Sequence, residues 1–163
     1  MEEIDVLNVT LWSVQILLGI FFVAAGLPKM LGRGMERWVG FSDLPRGEVV
    51  FVGVTELLGG AALIVPMATG VLPWLTPLAA IGLAIAVLMA AGFHVRADER
   101  LNVVETCLLA AIAGGVAIGR WDLVRADISP WVLVVVLGVL VPAAIVNIVV
   151  LVRGSTEASV HAP

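Results

Sequence analysis

The chain has 163 residues, the length of one ordinary domain, but 61% of them are hydrophobic and only 13% are charged, too few to coat a water-soluble fold. A mean hydropathy of +1.11 makes lipid the solvent for much of its surface. A net charge of -4 without any basic cluster argues against nucleic acid as a partner. The single cysteine, Cys107, excludes an internal disulfide and any two-cysteine redox or zinc motif, and inside an apolar run it reads as a small buried side chain.

The opening "MEEIDVLNVT" has no basic region ahead of its apolar run, so it reads as a retained first span and not a removed signal. That span covers about 7–29, long enough to cross about 30 Å of hydrocarbon at 1.5 Å per residue. Residues 31–47 mix glycine, proline, Trp38 and both charge signs, as expected of an interfacial loop. A second span is expected over about 48–67 and a third over 74–93, with Pro73 and Pro77 at its start, where missing amide donors matter least. After the charged "HVRADERL", residues 102–118 form a short fourth run whose full crossing stays open, and 130–152 form a fifth. Residues 1–153 thus read as a single transmembrane helical domain, and 154–163 as a disordered cytoplasmic tail.

With five spans, Lys29, Arg33, Arg37, Arg46, Arg96, Arg100 and Arg153 fall on one side, and only Arg120 and Arg125 on the other. Basic loops stay in the cytoplasm, which puts the amino terminus outside and the carboxyl terminus inside. Trp12, Trp74, Trp121 and Trp131 then gather at the outer interface, where indoles prefer to sit.

Glu56 stands out within "FVGVTELLGGAAL". A charge at mid-membrane costs about 2.5 to 3.5 kcal/mol on insertion scales, so it needs a partner, a proton or water. At 100° per residue Gly53, Glu56 and Gly60 share one face, which should therefore turn inward. The first span offers a matching strip of Gln15, Gly19, Phe22 and Gly26, and the fourth one of Asn102, Glu105, Thr106, Leu109 and Ala113. Three helices are expected around Glu56, with Lys29 and His94 as its nearest cations. Glu56 is the candidate proton relay, and Lys29, His94, Glu105, Gln15 and Asn102 are candidate ligand contacts. Each also has a plainer reading. Glu56 also reads as a packing link, Glu105 as a carboxylate reaching out to water, and His94 as a helix-end residue on the terminal carbonyls. Pro28 and Pro142 free the carbonyls of Ala24 and Gly138, giving the interior acceptors for water or a ligand hydroxyl.

Three stretches resemble the DoxX-like family of small bacterial integral membrane proteins: "QILLGIFFVAAGLPKML", "GVTELLGGAALIVP" and "FHVRADE" leading into a short helix that ends in "GR". The resemblance covers roughly residues 11–120 and implies an all-α bundle, a polytopic transmembrane four-helix core to which this chain adds a fifth C-terminal span. It also implies a bacterial inner membrane and work in membrane redox systems, since members include a subunit of a thiosulfate:quinone oxidoreductase. On that footing the expected function is an accessory subunit of a quinone-linked assembly, with a quinone or lipid held around Glu56. The sequence carries no metal, flavin, haem or dithiol signature, so electrons would come from a partner subunit. The alternatives are a non-catalytic structural or assembly subunit, bound to other membrane subunits or to its own copies, and a small carrier.

Overall fold

The structure, a computed structural model, describes residues 5–33 and 44–127, together with Trp131 and Gly138. The chain divides into two compact units, Met1–Asp127 and Ile128–Pro163. In the second, Trp131 and Gly138 are helical, and the expected fifth span and tail otherwise lie outside the described residues.

Unit one is an all-α bundle. Its four long helices are α1 (Val6–Leu31), α2 (Arg46–Thr69), α3 (Leu75–Arg96) and α4 (Arg100–Gly119), followed by a short α5 (Asp122–Asp127). Each of the four is long and apolar enough to cross a membrane, and α4, at 20 residues, reaches about 30 Å. Every long helix outruns its apolar core by a residue or more at one or both ends. Arg46–Gly47–Glu48 starts α2 and His94–Val95–Arg96 finishes α3, because polar residues continue backbone hydrogen bonding that hydropathy alone does not register.

Local chemistry explains the ends. Asp5 caps α1 by accepting from the Asn8 amide at 3.1 Å, and Gly32 closes it at φ 66°, donating to the Lys29 carbonyl. Gly70 ends α2 in the same left-handed conformation. Pro28 and Pro66 sit inside α1 and α2 without ending them.

Successive helices run antiparallel. The largest interface joins α1 to α2, the next α3 to α4; α2 also packs on α3, and α1 meets α4 over a smaller area. Leu18, Phe22, Leu63, Leu83, Val87, Ala113 and Val116 fill the centre. Large apolar side chains such as Leu17, Phe51, Leu88 and Leu108 point outward, the pattern of a bundle solvated by acyl chains.

At the α1–α2 seam the backbones themselves touch. A Cβ added to Gly26 would lie 2.5 Å from the Gly53 carbonyl oxygen, and one on Gly53 would lie 2.7 Å from that of Gly26. Gly19 and Gly60 repeat the relation two turns along, each Cβ falling 2.8 Å from the other's carbonyl oxygen. Without a hydrophobic driving force between helices in lipid, such close approach supplies the van der Waals packing that holds them.

Candidate functional site

The glycine seam governs where Glu56 points. In an antiparallel pair each Cα–Cβ bond tilts toward its own helix N-terminus. Lys29, near the end of α1, therefore leans into the bundle, and Glu56, ten residues or about 15 Å into α2, leans back toward the end where α2 begins. They meet. Lys29 Nζ donates to both Glu56 Oε1 and Oε2 at 2.6 Å, with side-chain exposures of 6% and 13%. Gly26 and Gly53 lie directly beside the pair: a Cβ on Gly53 would come within 2.8 Å of Lys29 Cβ, and one on Gly26 within 3.1 Å of Glu56 Cβ. Larger residues there would push the charges apart.

Removing two charges from water costs several kcal/mol per ion, and mutual attraction offsets this only with close geometry. The two short contacts to one ammonium meet that condition. The pair is neutral as a unit, which is how a carboxylate is held at this depth.

Of the two cations considered for Glu56, only Lys29 is in hydrogen-bond contact with it. His94 turns to the α3–α4 junction instead, where its Nδ1 lies 2.8 Å from Glu99 Oε2, and Asn102 Nδ2 donates to the same oxygen at 2.8 Å. The shared acceptor, Glu99, did not stand out in the sequence, although its place three residues before Asn102 and just across a tight turn from His94 suits it to both. These two bonds hold the Glu99 carboxyl below its ordinary pKa. Arg96 lies over the Phe93 ring, 4.9 Å from its centroid.

The strip expected on α4 does not wall Glu56, because a helix that packs on α3 and α1 stands diagonally across from α2. Asn102 is engaged at the junction, and the Thr106 hydroxyl donates to the Asn102 and Val103 carbonyls of its own helix. Glu105 is exposed on the outer surface of α4. Cys107 is exposed too, not buried as a lone apolar-run cysteine was expected to be.

Gln15 stands at the opposite end of the seam from Glu56 and is fully buried. Its Nε2 donates to the Leu63 carbonyl at 3.0 Å and lies 3.5 Å from the Met67 sulfur, and its Oε1 accepts from Arg120 Nε at 2.7 Å. One amide thus links α1, α2 and the residue closing α4. Nearby, the Thr76 hydroxyl donates to the Ala62 carbonyl, the one that Pro66 cannot serve. Arg120 escaped the sequence reading because it meets Gln15 across 105 positions of chain. Its Nη1 donates to Asn8 Oδ1 at 2.7 Å, and its guanidinium lies 5.7 Å from the Trp12 ring centroid.

Between the two polar ends lie Leu18, Phe22 and Leu63, all buried, with Gly19 against Gly60. No hydrogen-bonded path links the ends among the described residues.

A family model described as the DoxX-like family matches residues 13–116, a stretch that holds the seam, both members of the ion pair and the α3–α4 junction. No curated protein and no solved structure gives a significant match.

Proposed function

The chain belongs to the DoxX-like family and is a multi-pass membrane protein, and from that premise we propose that it is an accessory subunit of a quinone-linked redox assembly. In this reading a quinone or similar lipophile binds beside the α1–α2 seam, Glu56 exchanges a proton with it, and Lys29 balances the charge that Glu56 carries between exchanges. Electrons come from a partner subunit. The observation that carries the reading is the ion pair itself: a carboxylate and an ammonium, nearly closed off by helices, against a backbone contact made by glycines. A buried acid of this kind is a functional group by default in a membrane protein.

Glu105, His94, Asn102 and Gln15 do not share that location, so the ligand contacts proposed beside the seam reduce to Lys29 and Glu56. In the same reading this end of the bundle faces the cytoplasm across an inner membrane, with the amino terminus outside; the basic residues near the ends of α1 and α3 and the starts of α2 and α4 support that orientation.

Binding of a photoreactive quinone analogue to the purified chain tests the reading. Labelling near residues 26–30 and 53–57 that is lost in Glu56→Gln and Glu56→Leu is expected. Unchanged labelling in both variants rejects the proton-exchange role.

A second reading, an assembly subunit without chemistry of its own, is favoured by one observation. Both carboxylate oxygens of Glu56 are already engaged by Lys29, so the pair is satisfied as it stands. That reading expects copurification with larger membrane subunits that persists in Glu56→Gln and is lost when outward-facing apolar residues are changed.

A further inference from the structure

Arg120 takes no part in the site above. It follows the last turn of α4, where the amide of Arg120 donates back to the Val116 carbonyl, and it brings its guanidinium to the first turns of α1. Two of its nitrogens are engaged, Nε by buried Gln15 and Nη1 by exposed Asn8. The third, Nη2, is buried and has no hydrogen-bond partner among the described residues. A buried donor left unpaired costs about 1 to 3 kcal/mol, more on a charged group. Such a position wants an acceptor.

Its surroundings narrow the choice. Arg120 lies at the level where α1 begins and α4 ends, the depth of lipid headgroups for helices of this length. Trp12 flanks it, as indoles do at that depth. Leu7, Ile16 and Ile118 project outward just beside or below it, an apolar surface suited to acyl chains. The local charge is mixed: Asn8, whose Oδ1 accepts from Arg120 Nη1 at 2.7 Å, donates its backbone amide to Asp5 Oδ1 at 3.1 Å, so the α1 cap brings a carboxylate close to the guanidinium. A cation next to an acid at the headgroup level complements a zwitterion better than a simple anion.

We propose that Arg120 and Asp5 form a docking point for an aminophospholipid headgroup, with the phosphate on the guanidinium and the ammonium on Asp5. The planar Nη1–Nη2 edge matches two phosphate oxygens. The phosphate displaces Asn8, whose bond to Nη1 is the exposed one, and gives Nη2 its acceptor; Gln15 keeps Nε and holds the fork in place.

The test is the melting midpoint of the full chain in detergent, titrated with dioleoylphosphatidylethanolamine, dioleoylphosphatidylglycerol, dioleoylglycerol and the soluble headgroup glycerophosphoethanolamine. The ethanolamine lipid should raise the midpoint at the lowest concentration, and dioleoylglycerol and the soluble headgroup should do little. Arg120→Gln should weaken the response roughly tenfold, as expected for loss of a bidentate charge-assisted contact, with Arg120→Lys in between. Asp5→Asn, which keeps a good helix cap, should abolish the preference for ethanolamine over glycerol while leaving the chain folded. Equal shifts from the two phospholipids in the unsubstituted chain, a full shift from dioleoylglycerol, or an undiminished response in Arg120→Lys and Arg120→Gln would each overturn the proposal. A full shift from the soluble headgroup would assign the site to a free phosphate ester and overturn the lipid assignment.

Discussion

At one end of the α1–α2 seam two full charges meet over a contact of bare backbone, and at the other a neutral amide ties three elements together through ordinary hydrogen bonds. The difference lies in what each end does when one member is lost. A neutral amide removed leaves one buried carbonyl and one guanidinium nitrogen short of a partner, a loss of ordinary hydrogen bonds. A charge removed from the other end strands its partner as an uncompensated buried charge. The Gln15 end ties helices together through neutral groups, whereas the Lys29–Glu56 end depends on two charges staying matched.

That contrast can be broken by substitution. The largest effect is expected for Lys29→Leu, which leaves Glu56 uncompensated; a loss of about 3 to 5 kcal/mol is the usual consequence of halving a buried pair. Adding Glu56→Leu should recover most of it, and a double-mutant cycle by denaturant unfolding in detergent measures the coupling. Failure to recover would mean that the pair is not a closed unit. Next come Gly26→Ala and Gly53→Ala. Each drives a Cβ into backbone atoms that cannot rotate away and should cost about 1 to 3 kcal/mol, whereas Gly47→Ala, with open space around it, should be neutral or gain up to about 1 kcal/mol from helix propensity. A smaller loss, about 1 to 2 kcal/mol, is expected for Gln15→Leu and about 1 kcal/mol for Thr76→Val, each removing a buried donor from a carbonyl.

The smallest effect belongs to the α3–α4 junction. Hydrogen bonds from His94 and Asn102 lower the Glu99 pKa from its ordinary 4.5, so the stabilisation is fully present above that value and disappears as pH falls below it through the depressed value. Asn102→Ala should lower stability slightly near neutrality and leave it unchanged at low pH, which flattens the acid limb of a stability–pH curve.

The four spans were legible because each is a run of apolar residues bounded by glycine, proline or charge, and 3.6-residue periodicity turned Gly53, Glu56 and Gly60 onto one face. The Lys29–Glu56 contact was legible as one of two options, since depth narrows the candidates but cannot choose between Lys29 and His94. What could not be read was neighbourhood. The sequence does not say that α4 stands across from α2, which is why Asn102 and Glu105 were expected beside Glu56 and are not. Nor does it say that the end of α4 meets the start of α1, the arrangement that gives Gln15 its partner in Arg120. Periodicity reports the face of a helix; only packing reports who faces it.

The spacing of the seam glycines also bears on how the protein reaches its membrane. Gly19 and Gly26 are seven residues apart, as are Gly53 and Gly60, so a slip of either helix by one turn would bring side chains where only backbone fits. Register and charge neutralisation are therefore satisfied together or not at all. Neither span carries its ion cheaply alone, and the least costly route into the bilayer delivers both as a preformed hairpin, lysine already on glutamate. The biogenesis machinery would then handle the first two spans as one cargo.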